Sequence, residues 1–230
     1  MQLAFTAAGM ITSVGFGAAS SCAAIRAGIA RPAPVEFFAV LDEEAQEEVP
    51  VCGHPVAGYT DGFVGAATWR VLARSALEDL ARDPTLPGRS DRAFWERTGV
   101  LFVLPELDPS RFDDDGETTA EGLRSELLDP LCGGSGLPLS HVREVLCRGH
   151  AGAVHALSRA REILEGGAAD RAVVLGVDSY LDPALRTRVS EAVDEPFWTE
   201  ASLTLGESSE TVAMDLRPRE DATLAEPDLD

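Results

Sequence analysis

Apolar residues along the chain follow two periods, and the change between them marks the elements. They run without interruption through Arg97–Pro105 (RTGVLFVLP) and Arg171–Val177 (RAVVLGV), which predicts two strands buried on both faces. The run Val142–Leu146 predicts a shorter strand that turns at Arg148-Gly149. After that turn the apolar positions Val154, Leu157, Ala160, Ile163 and Leu164 recur at helical spacing, and Gly166-Gly167 supplies a residue able to take the left-handed conformation that closes a helix. From His141 to Asp182 the chain therefore reads as strand, helix, strand.

The flanking pattern adds further elements. Leu3–Ala8 predicts a first strand, Gly9–Gly17 a connection rich in small residues, and Ala18–Ala27 a helix stopped by Gly28. The acidic run Asp42–Glu48 between short apolar pieces makes Val35–Gly58 a hairpin or surface excursion. Gly62–Arg82 predicts an amphipathic helix with Val64, Ala67, Val71, Ala76 and Leu80 near one face, and Pro84 and Pro87 enforce its exit. Thr119–Leu131 predicts a helix capped by Thr118 or Thr119 and broken by the glycines from 133. Ser179–Pro183 reads as a loop, Ala184–Ala192 as a short helix, and Leu203–Leu205 and Thr211–Leu216 as two closing strands. The expected division is one domain over 1–216 and an acidic mobile tail over 217–230.

Composition narrows the function classes. The 230 residues carry 19 basic and 39 acidic side chains, a formal charge of -20. Such a field repels phosphate backbones and anionic membranes, so no nucleic-acid or membrane partner is expected. Cys22, Cys52, Cys132 and Cys147 are dispersed and include no Cys-x-x-Cys pair, which argues against disulfide frameworks and zinc ribbons and for a cytoplasmic location. There is no charged leader before an apolar run, and no apolar stretch reaches membrane-spanning length. Cys52 and His54 lack further ligands, the Asp113-Asp114-Asp115-Gly116 run lacks the spacing of a calcium loop, and the turn with Gly9, Thr12 and Gly15 lacks the Lys of a phosphate loop, so neither metal nor cofactor is expected.

Three groups of residues carry a resemblance. They are Ala151-Gly152-Ala153 with His155-Ala156-Leu157, then Gly167-Ala168-Ala169-Asp170, then Leu175-Gly176-Val177-Asp178-Ser179. In that order they resemble the β-ketoacyl synthases of the thiolase-like superfamily, whose nucleophilic cysteine sits in a small-residue turn opening a buried helix, ahead of a Gly-x-Ala-Asp turn and an apolar strand. The N-terminal strand, the Gly9, Thr12, Gly15 turn and the following helix are similar to the opening of the same family. The resemblance implies an α/β fold, the N-terminal half of a thiolase-like molecule, with a mixed, mostly parallel five-stranded sheet covered by helices. It covers one half of a family built from two, and the histidines of the second half have no counterpart among His54, His141 and His155.

Counted back from Asp170 without a gap, the family's cysteine falls on His150. Condensation needs a thiolate at the helix N-terminus, where the dipole lowers the thiol pKa and a thioester can form. An imidazole can accept protons or make hydrogen bonds but cannot carry the acyl chain through that chemistry. Cys147, three residues earlier, is the alternative nucleophile, although it falls before the helix and reads as a half-buried structural cysteine. His150 and Cys147 are thus the candidate catalytic residues. Three functions follow: a non-catalytic ketosynthase-like subunit in fatty-acid or polyketide-type biosynthesis, an acyltransferase using Cys147 or His150 with histidines from a partner, and a thiolase-fold scaffold. The resemblance implies a companion, either a second ketosynthase-like chain or another copy, with the strand at Val142–Leu146 as a pairing edge, and an acyl carrier protein as a further partner.

Overall fold

The computed structural model describes residues 2–42, 47–107, 119–179, 181 and 210–218, without the side chains of 36–38, 40–42, 47, 48, 150 and 210–218. The acidic run at 113–116, the helix expected at 184–192, the strand expected at 203–205 and the tail beyond 218 lie outside the described residues.

The uninterrupted apolar runs form the centre of the sheet. Every residue of β5 (Thr98–Leu104) is buried, and it lies parallel to β6 (Arg143–Cys147) on one side and β7 (Arg171–Asp178) on the other. Its alternate side chains serve opposite faces: Val100, Phe102 and Leu104 join one core cluster, Leu101 and Val103 the other. That two-sided burial is why the run does not alternate.

Beyond β7 the sheet continues through β8 (Glu210–Pro218) to β1 (Leu3–Thr12) and a two-residue strand, β2 (Gly15–Phe16), giving the order β2-β1-β8-β7-β5-β6. β8 runs antiparallel to both its neighbours, so β1 shares the direction of β5, β6 and β7. The five longer strands make the expected mixed sheet. Two boundaries differ. β8 continues to Pro218, paired with Leu3, two residues past the expected end of the domain. β1 extends to Thr12 instead of ending at Ala8, because Gly9 belongs to the strand: a Cβ there would lie 2.2 Å from the Ala76 carbonyl oxygen. A helix crosses the strand backbone to backbone at that point.

The crossing helix is α2 (Ala66–Leu80), which follows the short α1 (Ala18–Arg26) in the chain. It starts four residues later than the periodicity predicts, since Gly62 and Gly65 both take positive φ. Trp69, Leu72, Ala76 and Leu80 pack on Ile11, Phe102, Val173 and Leu175. The one-turn α3 (Arg92–Trp95) precedes β5. On the same side of the sheet, α4 (Ala120–Leu123), a π-helical turn (Arg124–Leu128) and α5 (Asp129–Gly134) form one continuous stretch. Thr119 caps it by accepting the Gly122 N–H at 3.1 Å. Gly133 and Gly134 stay helical, and the break comes at Gly136, with φ of 70°.

The other face is covered by α6 (Gly152–Glu165), whose Ala156, Ala160 and Ile163 meet Leu101, Val103, Ala172 and Val174. Val154, expected on the apolar face, points outward and is 70% exposed. The remainder of the outward side is polar, with Arg161 paired to Glu165 (2.9 Å) and Arg159 to Glu162 (2.7 Å). Apart from Val154, the buried apolar side chains of α2 and α6 pack against the chain's own sheet. Further large exposed apolar groups lie at Phe5, Phe16, Phe63 and Val64.

β3 (Ala33–Asp42) and β4 (Glu47–Gly53) pair as the expected hairpin. Its base abuts the end of β7, since a Cβ on Gly53 would sit 2.7 Å from a Leu181 methyl. Among the described residues no helix is long and apolar enough to cross a membrane.

Candidate functional site

Parallel strands deliver loops to one rim, the edge at their C-terminal ends, and binding sites of open α/β sheets lie there. In this chain the rim brings together Pro105-Glu106 after β5, the turn Arg148–Ala151 after β6 and Ser179 after β7. The turn after β6 is shaped by two glycines. Gly149 takes φ of 51°, a left-handed conformation that opens a 3-10 turn over Gly149–Ala151. Gly152 begins α6 with its α-carbon so close to β5 that a Cβ would meet Val103 Cγ1 at 2.5 Å. The small-residue run at 151–153 therefore lets the start of the helix lie directly on the sheet. No side chain caps this helix start, so its first backbone N–H groups remain as the positive end of the dipole.

The two candidate residues occupy different places in this geometry. Cys147 is the last residue of β6, in register with Leu104, and half-buried against the core. Burial pushes its thiol pKa up, the opposite of what a nucleophilic thiolate needs. His150 lies in the 3-10 turn immediately before α6, at the end where the dipole acts. The backbone thus separates a thiol in the strand from an imidazole-bearing residue at the helix start. A third residue, Glu106, was not singled out by sequence. It reaches across from β5, with its Oε2 3.8 Å from the point a Cβ on Gly149 would occupy. Its signal was only its position two residues past a parallel strand, readable once β5 and β6 are known to be neighbours.

Other motif residues are structural. Asp170, from the Gly-x-Ala-Asp turn, lies at the opposite rim and receives a hydrogen bond from Arg97 at 2.6 Å, which holds its carboxyl below the usual range. Asp178 Oδ1 accepts the Ser179 N–H at 2.7 Å, and the buried Ser179 hydroxyl accepts from Leu181 N–H at 3.3 Å, so the two shape the loop after β7. In the N-terminal turn Thr12 Oγ1 donates to Ser21 Oγ (3.1 Å), while Asp79 Oδ2 accepts from Met10 N–H (3.0 Å) and Ala18 N–H (2.8 Å). A carboxylate already occupies the first N–H of α1, which leaves no phosphate cradle there. Cys52 is exposed, and among the described residues no group of three His, Cys, Asp or Glu side chains converges as a metal site would require.

Solved structures match this arrangement over almost its whole length. The ishigamide ketosynthase/chain length factor superposes with a TM-score of 0.58 at 15% identity, over 97% of this chain and 64% of that one. A ketosynthase from module 6 of the bacillaene synthase of Bacillus subtilis 168 gives 0.58 at 12% identity, over 96% and 40%. The fold is that of the thiolase-like ketosynthases. A β-ketoacyl synthase from Burkholderia phymatum STM815 agrees, with a TM-score of 0.57 at 15% identity over 95% of this chain and 59% of that one. No protein-family model matches the sequence, nor does any curated protein. The chain spans between two fifths and two thirds of the ketosynthases whose fold it shares.

Proposed function

We propose that the chain is a ketosynthase-like subunit without condensing activity of its own, paired with a second ketosynthase-like chain in fatty-acid or polyketide-type biosynthesis in the cytoplasm. The observation that carries the reading is the chemistry at the start of α6. The residue there is His150, and the nearest thiol in sequence, Cys147, is a half-buried strand residue whose pKa is raised. A thiol that stays protonated near neutrality, away from the helix dipole, is a poor acyl acceptor. The expectation of a companion rests on β6, which ends the sheet and leaves one side of its backbone unpaired among the described strands. A second chain of complementary type is preferred over a second copy, because two copies bring together formal charges of -20 each. An acyl carrier protein is the expected further partner.

Two measurements test this. Incubation with an acyl-thioester followed by intact mass should give no acyl adduct, and iodoacetamide should modify Cys22 and Cys52 well before Cys147. Rapid acylation at Cys147 would replace the reading with that of an acyltransferase. Co-expression with a complementary ketosynthase-like chain should yield a defined heteromer.

A further inference from the structure

We propose that the C-terminal half of α1 is a docking surface for a helix of another protein, one that is apolar on a single face and carries carboxylates along its rim. α1 rests on the sheet by a narrow line. Of its nine residues Ser21 and Ala24 are buried, and the Ser21 hydroxyl donates to the Gly15 carbonyl at 2.9 Å. Gly28, at φ of 68°, closes the helix by donating its N–H to the Ile25 carbonyl, and the Ile29 N–H donates to the Ala24 carbonyl, both at 3.0 Å. That closure turns Ile29 back beside the last turn. Ile25 and Ile29 are 51% and 50% exposed there, next to the exposed Cys22 and Ala23.

The distribution of charge points to what covers them. The first 35 residues hold none of the chain's 39 acidic side chains, against two arginines, Arg26 and Arg31. Both are exposed, and among the described residues neither enters an ion pair. Asp79, the carboxylate bonded to α1, is used at the helix's other end by the Ala18 N–H and on β1 by the Met10 N–H. In a chain of formal charge -20 this leaves an apolar pair flanked by cations, complementary to an apolar, acidic helix. A second copy fits it less well, since a two-fold contact sets arginine against arginine. β1 and β2, beside α1, stand at the opposite end of the sheet from β6, so the surface stays open when a companion pairs at β6.

The probe is a synthetic helical peptide with leucines on one face and glutamates at its rim, compared with the same peptide carrying lysines in their place. Cys22, exposed on α1, is the reporter, and the exposed Cys52 is the internal control. On the 230-residue chain the acidic peptide should slow iodoacetamide modification of Cys22, leave Cys52 unchanged and bind about tenfold tighter than the lysine form. R26E/R31E should invert that preference, and I25S/I29S should abolish protection by either peptide. Protection by both peptides alike, by neither, or undiminished in I25S/I29S overturns the proposal. Protection by vesicles of phosphatidylcholine and phosphatidylglycerol, without protection by the acidic peptide, assigns the surface to lipid and overturns it too. Protection that rises with the chain's own concentration, with no peptide present, assigns it to a second copy and likewise overturns it. Should R26E/R31E fail to fold, salt decides on the unaltered chain: the acidic peptide's advantage should shrink as salt is added, and an advantage indifferent to salt overturns the proposal.

Discussion

Asp79 shows how one side chain can tie together parts of the chain that sequence keeps far apart. From α2 it accepts the N–H of Met10 on β1 and that of Ala18 at the start of α1, at 3.0 and 2.8 Å. Both bonds are to an ionised acceptor, and removing it leaves two backbone donors without that partner. Asp79→Ala should therefore cost about 2–3 kcal/mol in urea unfolding; a loss below about 0.5 kcal/mol would mean that water replaces the carboxylate fully. Cys132 permits a pH prediction. Burial pushes its thiol pKa from 9.0 up to about 11, so the unfolded chain releases the proton first as pH rises. The stability from keeping this thiol neutral is complete below pH 9 and is lost between pH 9 and 11, by about 2–3 kcal/mol. Unfolding measured across that window should show a shallower decline in Cys132→Ala, once its lower starting stability is subtracted. Equal slopes would show that burial of Cys132 does not govern the alkaline loss.

At the scale of elements, two crossings set the geometry. α2 lies on β1 at Gly9, and α6 lies on β5 at Gly152, each at a distance no Cβ could share. The second crossing aims the start of α6, and with it His150, at the rim. Gly152→Ala should push the helix off Val103 and destabilise by about 1–3 kcal/mol, and the double variant with Val103→Ala should recover much of the loss. Thermal melts of the four proteins give the coupling, and simple additivity would mean the two residues do not share the contact. The outer turns of α6 are tied to β6 as well, by Arg159 bonding both oxygens of Glu144 at 2.8 and 2.7 Å. That pair is partly exposed, so its contribution is below about 1 kcal/mol and fades with salt. Helix position here depends on close backbone approach more than on ion pairs.

For the whole molecule, charge and exposed apolar surface act in opposite directions. Exposed Phe5, Phe16, Phe63 and Val64 and the edge of β6 left unpaired among the described strands favour association, while a formal charge of -20 resists self-association at low salt. Sedimentation of the isolated chain should show self-association that increases with salt, and a complementary ketosynthase-like chain should displace it with a heteromer. A monodisperse 24.4 kDa species at every salt concentration would remove the case for a companion. How far the sequence anticipated all this follows from the range of each interaction. Periodicity anticipated β5, β7 and the existence of α2 and α6, because burial on one face or two is written into neighbouring residues, while the acidic run left a hairpin and a surface excursion equally open. The same local pattern could not tell that Gly9 is strand, since the reason lies in Ala76 and Leu80, some seventy residues on. It could not orient Val154, whose face depends on which strands α6 covers. The insertion of β8 between β1 and β7, and the approach of Glu106 to Gly149, required strands from distant parts of the chain to be set side by side. Sequence by itself determined most of the elements and the residue at the start of α6; only the tertiary structure decided that the end of β5 lies against the Gly149 turn, because the pairing of parallel strands is a long-range choice that no local pattern encodes.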